Sequence, residues 1–314
     1  VSGPRVCVVG SLHFDILVQA PYLPRTGETL IGDAWWWKPG GKGGNQAMAA
    51  ARHGARTAMI GRLGDDAFGV RLRERLVAAG VEVAAVGEAA QGSGMSVAIQ
   101  QADGDYAAIV VSGANRELDA AAVVETGVAD TIRAARILVL QQEIAEAANV
   151  AAARLAREAG ASVVLNAAPA RPLGGMTSLA DLLVVNTVEA EQLGAGTVTD
   201  LHSAARAARD LLRLAPAVIV TAGDSGVAVA TAAGVELSLP AHPVARAETH
   251  GAGDVFVGAL AARLAGDDAL PDALRYANAA AALHVGTAEA AREALGPTDV
   301  RALLATFPTM ERTR

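Results

Sequence analysis

Cysteine is nearly absent from this 314-residue chain: the one residue, Cys7, lies in the apolar run from Val6 to Val9. A lone cysteine excludes an internal disulfide framework and fits a core thiol in a reducing compartment. Aromatic residues make up only 3% of the chain, and lysine occurs only at Lys38 and Lys42. Acidic residues outnumber basic ones by 33 to 26, for a net charge of −7. With no run of Lys or Arg, there is no electrostatic footprint for nucleic acid or an anionic membrane. No apolar stretch reaches the roughly 18 residues that signal a membrane span, and the chain enters a strand-like segment directly instead of a signal peptide. A cytoplasmic protein with neither nucleic-acid nor membrane partners is expected.

Apolar residues are plentiful, at 52% of the chain, enough for one large α/β domain or two small ones with a full core. Short branched-aliphatic runs at residues 5–9, 57–61, 137–140, 162–166, 182–186 and 217–221 alternate with alanine-rich segments at 45–53, 67–79, 145–159 and 201–214. Continuous apolar runs predict strands buried on both faces of a mainly parallel sheet, with the alanine-rich segments as crossover helices. Past Asp254 the pattern is helical to the end. Residues 14–38 and 94–111 break the βα rhythm and read as inserted antiparallel hairpins, the second turning at Asp103-Gly104-Asp105. Such hairpins suit a lid, a subunit contact or a structural side sheet. No linker or repeat divides the chain.

Two motifs carry chemistry. Gly40-Gly41-Lys42-Gly43-Gly44-Asn45 precedes a helical segment; its glycines allow close approach to a ligand, and Asn45 could cap the helix or donate an amide to a hydroxyl. A plain turn is the alternative, and neither a P-loop nor a G-x-G-x-x-G fingerprint is present. The second motif, Thr249-His250-Gly251-Ala252-Gly253-Asp254, opens a helical run. Small residues there present N–H groups and the positive end of the helix dipole to an anion. Asp254 could then remove a hydroxyl proton beside a transferring phosphoryl group, or simply cap the helix.

Together with Gly10-Ser11-Leu12-His13-Phe14-Asp15, these motifs resemble those of the ribokinase-like (PfkB) family of carbohydrate and nucleoside kinases. Ordered segments at residues 61–66, 113–115, 165–170, 186–189 and 221–226 agree, so the similarity runs from about Val6 to Leu283 and is greatest with the ribokinases. The resemblance implies one kinase domain over residues 1–314, with a ribokinase-like α/β sheet and a small β-lid from residues 14–38 and 94–111. It implies ATP-dependent phosphorylation of ribose or a related small sugar, with Mg²⁺, and a homodimer through the lid. By carry-over, Asp254 is the base, and Gly251, Ala252 and Gly253 form the anion hole. His13, Asp15, Gly41, Lys42, Asn45 and Glu143 fall on sugar positions. Asn186 and Glu189 match the element that organises Mg²⁺, through water, and phosphate. Thr221, Gly223, Ser225 and Gly226 match the nucleotide loop, and Asn278 falls beside the adenine.

Three features depart from the family pattern. His13 replaces an asparagine; imidazole also offers a donor and an acceptor but with different reach, so it either tunes the sugar or packs beneath the lid. Glu248 replaces the aspartate of a K⁺ site, where its extra methylene could still supply a carboxylate oxygen to a monovalent cation or fill the ion space, and residues 286–291 lack the usual matching stretch; together these predict weak or absent potassium dependence. Three consecutive tryptophans, Trp35 to Trp37, alternate faces on a strand and could cover substrate, meet a partner or pack within the lid. A nucleoside kinase and a non-catalytic sugar sensor are the competing readings. The base, glycine cradle and Asn186/Glu189 favour the enzyme, and the missing Rossmann fingerprint disfavours a nicotinamide oxidoreductase.

Overall fold

Alternate residues of strand β1 (Arg5–Val9) enter two different cores: Val6 and Val8 join one apolar cluster, Cys7 and Val9 the other. Only a strand covered on both faces does this, which is why its sequence is continuously apolar. The computed structural model describes residues 5–101, 106–245 and 249–307. The further strands are β2 (His13–Gln19), β3 (Ala34–Gly40), β4 (Arg56–Gly64), β5 (Val86–Ala89), β6 (Gly94–Gln100), β7 (Tyr106–Val111), β8 (Ile137–Gln141), β9 (Ser162–Asn166), β10 (Leu182–Asn186), β11 (Ala217–Thr221), β12 (Val227–Thr231) and β13 (Glu236–Leu239). The helices are α1 (Lys42–Arg52), α2 (Ala67–Ala78), α3 (Ala120–Val124), α4 (Thr126–Arg133), α5 (Glu146–Glu158), α6 (Thr187–Gln192), α7 (Leu201–Asp210), α8 (Ala252–Ala265), α9 (Leu270–Gly286) and α10 (Pro297–Thr306).

Nine strands form the main sheet in the order β13-β12-β11-β10-β9-β8-β1-β4-β5. All pairs from β11 to β5 are parallel, and only β12 and β13 run antiparallel to their neighbours. One face is covered by α1, α2, α8, α9 and α10, and the other by α3, α4, α5 and α7. Burial desolvates the Cys7 thiol and pushes its pKa up to about 12, as a core residue with no reactive role requires. No helix among the described residues is long and apolar enough to cross a membrane.

A separate sheet, β3-β2-β6-β7, contains both expected hairpins. They are joined side by side through the parallel pair β2–β6. The Asp103-Gly104-Asp105 turn lies outside the described residues. Phe14 anchors this sheet to the body, with its ring stacked between Trp37 at 4.4 Å and Phe68 of α2 at 4.2 Å. Trp35 shares that face of the strand but is 68% exposed. The structure differs from the sequence expectation at several element bounds. Helix α1 begins at Lys42 instead of Asn45, β4 continues to Gly64, α7 gives way to a 3₁₀ turn at Leu211–Arg213, and β5, β12 and β13 extend the sheet at both edges.

Candidate active site

Polar residues line up along the C-terminal edge of the parallel sheet. Ser11 follows β1, Gln141 and Glu143 lie at the end of β8, and Asn166, Asn186 and Thr221 end β9, β10 and β11. The chain leaves β1 toward β4 on one side and returns at β8 on the other. That switch in winding direction opens a crevice where α/β sheets hold ligands.

The glycine motif sets one end of the crevice. Gly41 caps α1 with φ at 81°, a left-handed value that favours glycine. A Cβ at Gly43 would come within 2.7 Å of the Gly10 carbonyl carbon, so the close approach is to the chain's own backbone. The Gly44 N–H donates to the Ser11 carbonyl at 3.0 Å. This docking brings Glu143 under the helix start, where its Oε2 accepts from the Lys42 N–H at 2.9 Å and from the Ser11 hydroxyl. Asn45 therefore sits inside α1 and is not its cap; its Nδ2 donates to Asp254 Oδ2 at 3.2 Å.

The second sheet overhangs this end. His13 and Asp15 lie two apart on β2 and share a sheet face. Asp15 Oδ1 accepts from the Ser96 hydroxyl at 2.6 Å, and its carboxylate presses so close to Gly40 that a Cβ there would lie 1.9 Å away. His13 is 6% exposed beside Gly94, and its buried Nε2 has no hydrogen-bond partner. An orphaned buried ring nitrogen is costly unless a ligand satisfies it.

Asp254 stands at the centre. Gly251, at φ 80°, is the N-cap of α8, so Asp254 is its third helical residue and not a cap. Its side chain accepts from Asn45 and from Gln46 Nε2, at 2.9 Å to Oδ1. Burial raises its pKa above the usual aspartate value, while the Lys42 charge and the Gln46 and Asn45 hydrogen bonds pull it back and Glu143 raises it.

Asp254 lines both a cavity of about 480 Å³, bounded by Trp37, Lys38 and Asn45, and one of about 230 Å³, bounded by Lys42, Asn186 and Glu189. Gly253 lines the second of these and a third cavity of about 410 Å³, which also contains Thr221, Gly223, Gly226 and Asn278. A Cβ added at Gly253 would meet no atom within 4 Å outside its own helix and chain neighbours, and its N–H belongs to the first turn that a helix leaves unpaired. Asn278 Nδ2 donates to the Pro240 carbonyl at 2.9 Å. Ser225 belongs to the adjoining 3₁₀ turn but does not line that cavity.

Asn186 and Glu189 form a capping box at α6: Glu189 N–H donates to Asn186 Oδ1 and Asn186 N–H to Glu189 Oε2, each at 2.8 Å. Burial raises the Glu189 pKa; the Asn186 N–H and Lys42 lower it, and Asp254 raises it. The carboxylate is thus fixed by one oxygen with the residue facing the 230 Å³ cavity. Glu248 lies outside the described residues. Gln46, Ser11 and Ser96 complete the hydrogen-bonded set but were not among the expected site residues. Serine and glutamine have no spacing signature, and a helical glutamine is ordinarily solvent-facing.

A sheet-edge crevice with a partly buried aspartate at a helix start, where it lines two pockets, is an arrangement that suits a group-transfer enzyme. The pfkB family carbohydrate kinase model matches residues 4–295, and the chain belongs to that family. It is 35% identical to the ribokinase of Bacillus subtilis over 283 residues, covering 90% of this chain and 92% of that protein. It is 30% identical to the deoxyribokinase of Salmonella typhi, covering 82% of this chain and 84% of that one. Among solved structures, Arabidopsis thaliana ribokinase complexed with ribose and ATP superposes with a TM-score of 0.90 at 30% identity, over 96% of this chain and 99% of the other.

Proposed function

We propose that this carbohydrate kinase transfers the γ-phosphoryl group of ATP to a hydroxyl of ribose or a closely related pentose. The observation that carries this reading is the position of Asp254 where two cavities meet, with the first turn of α8 beside it. The sugar is held by His13, Asp15, Gly41, Lys42, Asn45 and Glu143. ATP lies along Thr221, Gly223, Gly226 and Asn278, with Ser225 shaping the loop. Asp254 takes the hydroxyl proton as the sugar oxygen bonds to the γ-phosphorus and the bond to the β-phosphate oxygen breaks, releasing ADP. The N–H groups of Gly251, Ala252 and Gly253 and the Lys42 ammonium meet the charge on the transferring group.

Glu189 suits Mg²⁺ bound through water. A buried carboxylate anchored by Oε2 needs a cation nearby, and Mg²⁺ is usually held by one or two carboxylates together with water and substrate phosphates. When bound, the ion neutralises charge on the phosphates. Potassium activation is weak or absent, because Glu248 and residues 286–291 depart from the family's ion site.

The small sheet acts as a lid on the single kinase unit. Its exposed Trp35, Ile109, Val110 and Val111 support a homodimer through that sheet. Turnover is tested by ADP release from Mg-ATP across pentoses, hexoses, keto-sugars and nucleosides. A signal confined to ribose or deoxyribose supports the reading, and one confined to nucleosides replaces it. Potassium dependence is read in the same assay by exchanging Na⁺ for K⁺.

A further inference from the structure

A chain of buried amides lies behind Asp254. Gln46, with no exposed surface, donates through Nε2 to Asp254 Oδ1 at 2.9 Å and to Asn166 Oδ1 at 3.0 Å. Its Oε1 accepts from Nε2 of the equally buried Gln141 at 2.7 Å. Asn166 directs its own Nδ2 to the Val184 carbonyl at 3.1 Å, so its oxygen faces Gln46. Two acceptors, Asp254 and Asn166, therefore flank one end of the Gln46 amide, and a donor, Gln141, faces the other. Only one orientation of that amide satisfies all three. The main-chain carbonyl of Gln141 accepts from Asn149 of α5 at 2.7 Å, and among the described residues the only hydrogen bond of its side chain is the one to Gln46, since its own Oε1 is buried without a partner. Its Oε1 lies where a Cβ at Gly10 would stand, 2.0 Å away, so the glycine leaves room for the side chain.

The sheet edge thus reaches the reacting carboxylate through the Gln46 amide, which cannot turn over without orphaning buried groups on both sides, and that is costly. We propose that Gln46 is a positioning residue for phosphoryl transfer. Held by Gln141 and Asn166, it fixes Asp254 Oδ1, keeps the carboxylate ionised in its desolvated site, and leaves Oδ2, on the Asn45 side, to take the hydroxyl proton. Gln46 touches neither the sugar nor the phosphate and acts through Asp254. The proposal rests on the kinase reading for its consequence in turnover, but its effect on Asp254 is measurable without turnover.

Gln46→Met keeps the volume and removes the amide. In protein labelled with ¹³C-carboxyl aspartate, the Asp254 resonance is identified by its loss in Asp254→Asn and titrated in both backgrounds. Loss of one hydrogen bond to a charged group predicts an Asp254 pKa raised by about one pH unit in Gln46→Met and a kcat lowered about 10- to 100-fold, with KM for ribose within about twofold. The acid limb of kcat/KM moves to higher pH by the same amount. Gln141→Met, which leaves Gln46 in place but removes its support, shifts both quantities less and in the same direction. It decides the matter if Gln46→Met does not fold. A folded Gln46→Met with the parent pKa and kcat overturns the proposal, as does a Gln141→Met that changes neither. If the unaltered protein phosphorylates no sugar, the kinase reading fails while the titration still reports on the amide chain.

Discussion

Asn45 and Asp254, 209 residues apart in the chain, meet through a hydrogen bond of 3.2 Å from Nδ2 to Oδ2. One residue lies on α1 and the other on α8. In the function we propose, the bond couples the group that would recognise the acceptor hydroxyl to the one that would remove its proton. Burial raises the Asp254 pKa, and as the proposed base it would work only when ionised. Activity is accordingly lost on acidification at a higher pH than an ordinary aspartate would dictate. Asn45→Ala removes one of the bonds favouring the ionised form, so the acid limb of kcat/KM moves further upward and KM for the sugar rises. A pH–rate profile of parent and variant checks both.

Glu189 caps α6, and one substitution separates that role from the proposed one toward Mg²⁺. Glu189→Gln keeps an oxygen to accept the Asn186 N–H and so preserves the cap, but removes the charge. Stability is expected to change by less than about 1 kcal/mol, while the Mg²⁺ concentration needed for half-maximal rate rises severalfold. Asn186→Ala removes the side-chain half of the box and costs about 1 kcal/mol of stability. Thermal melts and Mg²⁺ titrations of the rate distinguish the two variants.

His13, on β2 of the small sheet, presents a buried nitrogen without a partner. If the sugar satisfies it, His13→Asn changes the ranking of ribose against 2-deoxyribose and arabinose by kcat/KM. An unchanged ranking shows the ring to be lid packing.

His53 tests the body of the fold. Its ring, hydrogen-bonded to the Tyr276 hydroxyl at 3.0 Å, is buried, and its pKa is depressed to about 4 by desolvation, with Arg52 and Arg263 adding to the effect. The unfolded state therefore binds a proton that the folded state refuses. Stability is lost as pH falls from about 6.5 toward 4, by up to about 3 kcal/mol from this group. Denaturant midpoints of the protein and of His53→Gln, taken across that interval, should converge as pH falls.

The central strands were legible because burial on both faces leaves continuous aliphatic runs. The last two strands at one side of the sheet, β12 and β13, were not, since Ala228, Ala230 and Ser238 dilute the pattern. The start of α1 was read three residues late. Glycine is a poor helix former, yet Gly43 and Gly44 are helical because a Cβ would press Gly43 into the Gly10–Ser11 backbone and Gly44 into the Leu12 side chain. The Asp254 motif was legible from its own glycines and following helix. Gln46 was not, because its partners Gln141 and Asn166 come from distant strands and no local spacing announces them.

The central claim is that Asp254 removes the acceptor proton. Its most direct test is phosphoryl transfer from γ-labelled Mg-ATP to ribose by Asp254→Asn, with ribose binding followed by calorimetry. The account predicts a kcat lowered about 100-fold or more while ribose still binds. A variant that binds ribose and transfers phosphate at the parent rate would contradict it.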